Sequence, residues 1–372
     1  MESVDVCIIG GGMAGASIAY RIAPRARVVM LEREPHVAYH STGRSAALYH
    51  PQYGSRAIRA LTTASGPFYE APPEGFGTIL SPRGSLVIGR EGQDKARAKH
   101  ETLARESGQE ITYLDTKQVL DLVPQLRPEA VQWGLYDTLA MDMDVEVLLQ
   151  GYLRAARRDG MQLVTSQNVE SLERAGARWR VRTTQREYDA AVVVNASGAW
   201  ADATAALAGI APLGLVPYRR TAFTFDAPPG VGATRWPMII DAAEQFYLKP
   251  DAGRVLGSLS EEEPSPPCDV QPEDLDVAIA VDRIESALTF PISRVIRAWA
   301  GLRTFGPDRN PVSGFEPSAP GFYWHAAIGG YGIQTSAALG AFAASTIAGQ
   351  PLPDELSRHG VRSADLDPAR LR

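Results

Sequence analysis

The chain has 372 residues, of which 45% are hydrophobic and 22% charged, with a formal net charge of −6 and a pI near 5.6. That length exceeds the usual size of one core and points to two domains, while the acidic balance gives no electrostatic footprint for nucleic acid. Its two cysteines, Cys7 and Cys268, are too few for a disulfide framework or a cysteine-built metal site.

The chain opens with acidic Glu2 and Asp5 before a short apolar run that glycine interrupts, which fits neither a signal peptide nor a membrane span. A cytoplasmic location is the expectation. Residues 4–9 form a β-type run followed by Gly10-x-Gly12-x-x-Gly15, a helical pattern to about residue 23, and a second β-type run ending at Glu32. Each part has a physical task in holding a dinucleotide. Gly10 makes the tight turn, Gly12 lets the backbone reach a pyrophosphate, and Gly15 lets helix and strand pack closely. The helix N-terminus favours the phosphate charge. Glu32 is placed to accept hydrogen bonds from an adenosine ribose, so the spacing predicts FAD or NAD rather than NADP.

Residues 39–47, YHSTGRSAA, are rich in small side chains that let backbone approach a flat ligand. From 55 to 140 the chain mixes a helical stretch, a Pro-rich turn at 71–74 and a strand-like run at 86–88. Asp144 is placed to cap a helix that stops at Gly160, and strand-like runs follow at 161–165, 169–173 and 179–183. Residues 190–194 are wholly apolar, as suits a central parallel strand, and turn at Asn195-Ala196-Ser197-Gly198 into a helix. The block 215–300 reads as β-rich, with a hairpin turn at 251–253 and a solvated loop over 264–280. Finally a strand meets Gly329-Gly330-Tyr331-Gly332 and a helix of small residues, a second helix N-terminus able to face an anion.

Together, GGGMAG with Glu32, VVVNASGAW, GLRTFGPDRNPVSG and GGYGIQTSAALG resemble the D-amino-acid-oxidase-like family of FAD-dependent amine oxidoreductases. YHSTGRSAA, YLKPDAG and WAGLR make the bacterial FAD-dependent D-arginine dehydrogenases the nearest likeness within it. The resemblance implies an α/β fold: a Rossmann-type FAD domain from residues 1–50, 142–214 and 304–372, and a mixed-sheet substrate domain with helices from 51–141 and 215–303. It implies that Gly10, Gly12, Met13, Ala14, Gly15, Glu32 and Arg33 surround the ADP half of FAD. Ser41, Thr42, Gly43, Ser45, Ala46 and Ala47 would run beside the isoalloxazine, and Val169 would meet the adenine side. Gly198, Gly301, Arg303, Gly330, Gly332, Ile333 and Gln334 complete the implied cofactor wall. The last cysteine, Cys268, lies outside the segment where some relatives attach flavin, so noncovalent FAD is expected.

The implied reaction is oxidation of an α-amino acid, with hydride passing from Cα to flavin N5 and the imino acid then hydrolysed to a 2-oxo acid and ammonia. A fixed guanidinium suits the substrate carboxylate, and among 33 arginines Arg303 and Arg220 match substrate-binding positions of the similar dehydrogenases. Tyr53 and Tyr247 are expected to hydrogen-bond and wall the substrate, with Gln334 at its amine end. The D-arginine dehydrogenases carry a histidine where this chain has Leu48, and a guanidinium-binding glutamate where it has Ser85. A cationic side chain opposite Leu48 and Ser85 would lack a counter-charge, so a D-amino acid with a neutral or apolar side chain is expected. His50 either replaces the missing histidine as partner or base, or is a loop residue at the rim. His325 is read as packed in the FAD domain, and no His or carboxylate pair has metal-ligand spacing. Oxygen or a quinone would take the electrons. The other readings are oxidation of an N-methyl, cyclic or L-amino acid or a 2-hydroxy acid, and a non-catalytic nucleotide-binding regulator.

Overall fold

The computed structural model describes residues 1–107 and 111–372, whose long-range architecture is two large β-sheets fed by interleaved stretches of chain. The first sheet runs in the order Val169–Ala175, Arg178–Thr183, Glu187–Asn195, Glu2–Ile9, Val28–Leu31, Gln162–Val164. Its centre is parallel: Glu2–Ile9 lies between Glu187–Asn195 and Val28–Leu31. All four residues of Val28–Leu31 are buried, as a parallel strand covered on both faces requires. Glu187–Asn195 shares one edge between two neighbours. Its first half pairs antiparallel with Arg178–Thr183 and its last three residues pair parallel with Phe322–Ala326.

One face of this sheet is covered by the helices Met13–Ile22, Val145–Arg158 and Gly332–Ile347. Asp144 caps the second of these by accepting the Val147 amide at 2.8 Å. The small residues of the third are explained by its crossing with Met13–Ile22: a Cβ at Gly340 would lie 2.8 Å from the Ser17 carbonyl oxygen. The other face packs Cys7, Val29, Trp179 and Trp324 against the short helix Ala201–Ala206. Burial pushes the Cys7 thiol well up, which makes it an inert packing group.

The second sheet has nine strands, ordered Glu263–Pro264, Val216–Phe225, Arg254–Ser258, Tyr247–Asp251, Met238–Asp241, Ser85–Gly89, Trp133–Asp137, Thr112–Asp115, with Val295–Phe305 also on Val216–Phe225. It is mixed, since Met238–Asp241 runs parallel to Ser85–Gly89 and the other pairs are antiparallel. The hairpin expected at 251–253 is present: Ala252 and Gly253 have φ of 46° and 82° between paired strands. The solvated loop expected over 264–280 is corrected, because Asp274–Glu285 is a helix. Its Asp274 and Asp276 sit in the first turn, where negative charge is favoured. Val277, Ala280, Val281 and Ile284 turn one stripe toward Phe223 and Leu248 in the core. Acidic residues around that stripe hid its helical period. The strand Val295–Phe305 also runs across the boundary expected at 303/304, and Met141–Met143 across that at 141/142.

Candidate active site

The Gly10 loop leaves the C-terminal end of Glu2–Ile9 and enters Met13–Ile22 with Gly12 as the capping residue. Gly10 has φ of 115°, and a Cβ there would lie 2.3 Å from the Ala196 carbonyl oxygen. The turn after Glu187–Asn195 therefore closes directly on this loop, and the Ala196 amide donates to the Ile9 carbonyl at 2.9 Å. Asn195 holds the turn's shape: its Nδ2 donates to Ala201 O at 2.8 Å and its Oδ1 accepts from Ser197 Oγ at 2.7 Å. The Thr42 hydroxyl accepts the Met13 amide at 3.0 Å, which brings the 41–44 segment to the helix N-terminus. Glu32 is 9% exposed, with Oε2 accepting the Gly11 amide at 2.8 Å and Oε1 the Glu34 amide at 2.9 Å.

These elements wall a continuous cavity of about 380 Å³. Of the residues expected around a cofactor, Gly10, Gly12, Met13, Ala14, Glu32, Arg33, Ser41, Thr42, Ser45, Ala46, Val169, Gly198, Gly301, Arg303, Gly330, Gly332 and Ile333 line it. Gly15, Gly43, Ala47 and Gln334 do not. Gly15 packs against the Gly10 carbonyl, where a Cβ would fall at 2.1 Å, and Gly43 packs against the Ala38 carbonyl. Both are close-approach glycines of the scaffold. Trp200 is a wall that the sequence did not reveal, and the Arg33 guanidinium lies 3.8 Å from its ring centroid.

His325 also lines the cavity, in the strand Phe322–Ala326, and is 1% exposed. Its Nδ1 lies 3.0 Å from Ser313 Oγ, which in turn is 2.9 Å from the Tyr323 hydroxyl, while Nε2 has no partner among the described residues. Burial pushes its pKa down to about 3, so the ring is neutral in the folded chain. Below pH 6.5 the unfolded chain takes up a proton here that the folded chain refuses, so stability is lost as pH falls from 6.5 toward 3. The expected size is about 2 kcal/mol between pH 6.5 and 5. Denaturant unfolding of wild type and His325→Gln across that window checks this: the variant's slope against pH should be shallower. Glu316, whose pKa is held down to about 2, contributes only below that window: burial raises it, but hydrogen bonds from Ser318, Arg372 and Trp324 outweigh this.

Cross-strand register sets out the other end of the cavity, because directly paired residues project to the same face of a sheet. Arg303 is paired with Tyr218 and Gly301 with Arg220. Ser258 is paired with Ala222 and with Tyr247, and Tyr247 with Ile240. Met238 is paired with Ser85, and Ser85 with Asp137. One face therefore carries Arg303, Arg220, Tyr247, Met238, Ser85 and Asp137, and Arg220, Tyr247 and Arg303 line the cavity. Arg220 Nε donates to Glu261 O at 2.7 Å, and its Nη2 is 3.5 Å from Glu262 Oε1. Arg303 forms no hydrogen bond or ion pair with any described residue, and it packs against the bare Gly330, where a Cβ would meet its Nε at 3.0 Å. Burial lowers the Arg220 pKa first, and the neighbouring Arg303 charge lowers it further. Burial opposes the charge on Arg303 as well, but the Tyr247, Tyr53 and Tyr331 hydroxyls around it more than offset that and raise its pKa. Two guanidiniums side by side, one without a carboxylate, make a site for an anion.

Tyr53 is 44% exposed and does not line the cavity, but its ring packs 5.3 Å from that of Tyr331, centroid to centroid, beside Arg303. Tyr331 was not singled out from sequence, although it stands inside the quoted GGYG. His50 lies behind Tyr53, with rings stacked at 6.1 Å, and its backbone amide donates to Gln334 Oε1 at 3.1 Å. Gln334 is 4% exposed and its Nε2 has no partner among the described residues. Ser85 is buried, 3.4 Å from His50 Nε2. Leu48 is off the cavity wall, in a small sheet opposite Asp142. The expectation that carboxylates are absent near Ser85 and Leu48 is corrected. Asp137 lies across from Ser85 and Asp142 across from Leu48, brought there by strand pairing that linear spacing does not display. Asp142 is ion-paired with Arg83 at 2.6 Å and Lys249 at 2.8 Å, and Asp137 Oδ2 lies 3.1 Å from His50 Nε2.

A glycine turn that backbone contact leaves no room to substitute, a helix N-terminus, an acid at the end of the second strand and one elongated cavity fit an FAD. A family profile described as FAD dependent oxidoreductase (DAO) matches residues 5–346. The chain is 24% identical to FAD-dependent oxidoreductase domain-containing protein 1 of Xenopus laevis, over 93% of this chain and 79% of that protein. It is also 24% identical to the uncharacterized oxidoreductase YurR of Bacillus subtilis, over 96% and 98%. The structure of glycine oxidase from Geobacillus kaustophilus is similar at a TM-score of 0.84 and 22% identity, covering 97% of this chain and 99% of that one. These likenesses carry the fold and the family, and not the nearer likeness to D-arginine dehydrogenases. The chain therefore belongs to the DAO family of FAD-dependent oxidoreductases.

Proposed function

We propose that the chain oxidises an α-amino acid with a neutral or apolar side chain at its Cα–N bond, giving an imino acid that water hydrolyses. The observation that carries this reading is the unpartnered Arg303 guanidinium beside Arg220 at the sheet end of the FAD cavity. The names of related proteins agree with an amino-acid-type substrate: glycine oxidase, and rat mitochondrial dimethylglycine dehydrogenase, which is 24% identical over 99% of this chain and 45% of that protein. Bound noncovalently, FAD supplies the two-electron acceptor. Arg303 and Arg220 hold the carboxylate, which fixes Cα against the wall formed by Ala46, Gly301 and Gly330. Tyr247 closes one side, while Tyr53, packed on Tyr331, and Gln334 stand off the cavity wall. A substrate ammonium held near two guanidiniums is disfavoured against the neutral amine, whose lone pair the oxidation requires.

The test is anaerobic reduction of the enzyme-bound flavin by a panel of D- and L-amino acids, N-methyl and cyclic amino acids, and 2-hydroxy acids. Neutral D-amino acids such as leucine, methionine and phenylalanine should reduce it fastest. A D-arginine rate exceeding these by orders of magnitude would overturn the side-chain preference. Reduction by hydroxy acids alone would overturn the amine assignment, and no reduction by any member would overturn catalysis.

A further inference from the structure

A carboxylate of the chain itself leans on the arginine pair, and a break in strand pairing puts it there. Arg254–Ser258 pairs with Val216–Phe225 as far as Ser258 opposite Ala222, and pairing resumes with Glu263 opposite Arg219. Residues 259–262 therefore stand across from Arg220 and Thr221 alone. Such a bulge re-aims side chains, and Ser260 takes a φ of 64° within it. The Glu261 carboxyl turns inward to accept the Thr221 amide, while its backbone carbonyl takes Arg220 Nε. Glu262 is aimed the other way, with Oε1 3.5 Å from Arg220 Nη2.

A third arginine holds Glu262 from outside. Arg309 Nη2 donates to Glu262 Oε1 at 2.8 Å and to Oε2 at 2.9 Å. Arg309 has φ of 60°, a left-handed conformation uncommon for a residue with a side chain. Its guanidinium lies 3.9 Å from the Phe305 ring centroid and 5.9 Å from that of Tyr218, the residue paired with Arg303. Glu262 thus stands between Arg309, whose side chain is 45% exposed, and Arg220, whose side chain is 11% exposed. The outer contact is a pair of hydrogen bonds; the inner one, at 3.5 Å, is a looser charge contact. Glu262 also lies within electrostatic reach of Arg303. An ion pair this loose and partly exposed is weak, so a better-aligned carboxylate replaces it readily.

We propose that Glu262 is an internal competitor for the substrate carboxylate: it leans on Arg220 in the empty site and yields that arginine, while staying on Arg309, when a carboxylate lands between Arg220 and Arg303. This rests on the reading that the arginine pair takes a carboxylate. Glu262 is off the cavity wall and touches no reacting atom; it is a positioning residue that acts through Arg220, which does line the cavity. An incoming carboxylate must replace the Glu262 contact and meets a like charge nearby, so the chain sets its own affinity below what two free guanidiniums would give. Arg309 makes the exchange possible, because Glu262 keeps a partner after Arg220 has turned to the substrate. Without Arg309 the carboxylate would rest on Arg220 alone and compete harder.

The test uses FAD-loaded wild type, Glu262→Gln, Arg309→Gln and the double variant, with benzoate as the probe. Binding to the oxidised enzyme is read from perturbation of the flavin absorbance, and turnover of the best amino acid is read separately. Glu262→Gln should tighten benzoate about fivefold, the scale of one partly exposed ion pair. The change in turnover should fall on KM more than on kcat. Arg309→Gln should weaken benzoate, and the double variant should bind it as tightly as Glu262→Gln, because the arginine matters only while Glu262 is there to be held. Unchanged or weaker benzoate in Glu262→Gln, or an Arg309→Gln loss that persists in the double variant, would overturn the proposal. Should Glu262→Gln lose flavin, Glu262→Ala carries the same comparison. Benzoate binding to none of the four removes the carboxylate clamp and the competitor with it. Amino-acid turnover with benzoate affinity unmoved by Glu262→Gln sinks the competitor alone. Tighter benzoate in an enzyme that no amino acid reduces sinks the proposed reaction and leaves the competitor standing.

Discussion

Replacing Arg303 by Leu lowers kcat/KM for the best amino acid by about a thousandfold, the effect expected when a buried charge loses its partner. The loss appears mainly as weaker substrate binding, because the guanidinium meets the carboxylate in ground and transition states alike. Arg303→Lys keeps the charge without the fork and recovers only part of the activity. Two controls distinguish an anion site from a merely packed arginine. A simple carboxylate such as benzoate should perturb the flavin spectrum of wild type and not of Arg303→Leu. The corresponding decarboxylated amine, already a poor substrate, should be equally poor in both. Arg220 is the weaker case, since its Nε is spent on the Glu261 carbonyl and its Nη2 faces Glu262. An Arg303→Leu enzyme of wild-type kcat/KM would remove the carboxylate clamp from the mechanism.

Gly10→Val leaves a chain that folds but is isolated nearly free of flavin, with FAD affinity reduced about a hundredfold or more. Two independent costs act at this position. The backbone φ of 115° strains any side chain, and the first carbon of that side chain meets the Ala196 carbonyl oxygen at 2.3 Å. Relief requires the Gly10 loop and the Asn195–Gly198 turn to move apart, and both line the cavity. Flavin content per chain and the Kd of added FAD are the measurements. Far-UV circular dichroism separates cofactor loss from unfolding, because the second sheet and its own core around Phe223, Leu248 and Ile284 lie away from this contact. Full flavin occupancy in Gly10→Val would refute the close-approach argument.

Much of the cofactor half was legible because its signals are local. The strand, the three glycines, the helix and Glu32 all fall within residues 2–32, and the predicted run at 190–194 is the buried core of Glu187–Asn195. The hairpin at 251–253 was equally readable from turn chemistry. The helix Asp274–Glu285 was missed because its acids lowered the apparent hydrophobicity while its buried stripe kept helical spacing. Tyr331 and Trp200 carry no local signal that sets them apart from the other aromatics, beside glycines that do. Asp137 could not be found at all, since its meeting with Ser85 and His50 is a matter of strand register.

The sequence by itself determined the dinucleotide unit and its family, because contiguous residues carry the turn, the phosphate-facing helix end and the ribose acid. Only the tertiary structure decided which charged groups stand beside Ser85. Sheet register sets Asp137 opposite Ser85, and the loop after residue 47 lays His50 over it. Linear spacing shows no carboxylate beside Ser85, and in the folded chain Asp137 is paired directly across from it. The reason is physical: charge balance in a buried site is settled by through-space neighbours, which pairing between distant strands creates and no local pattern records.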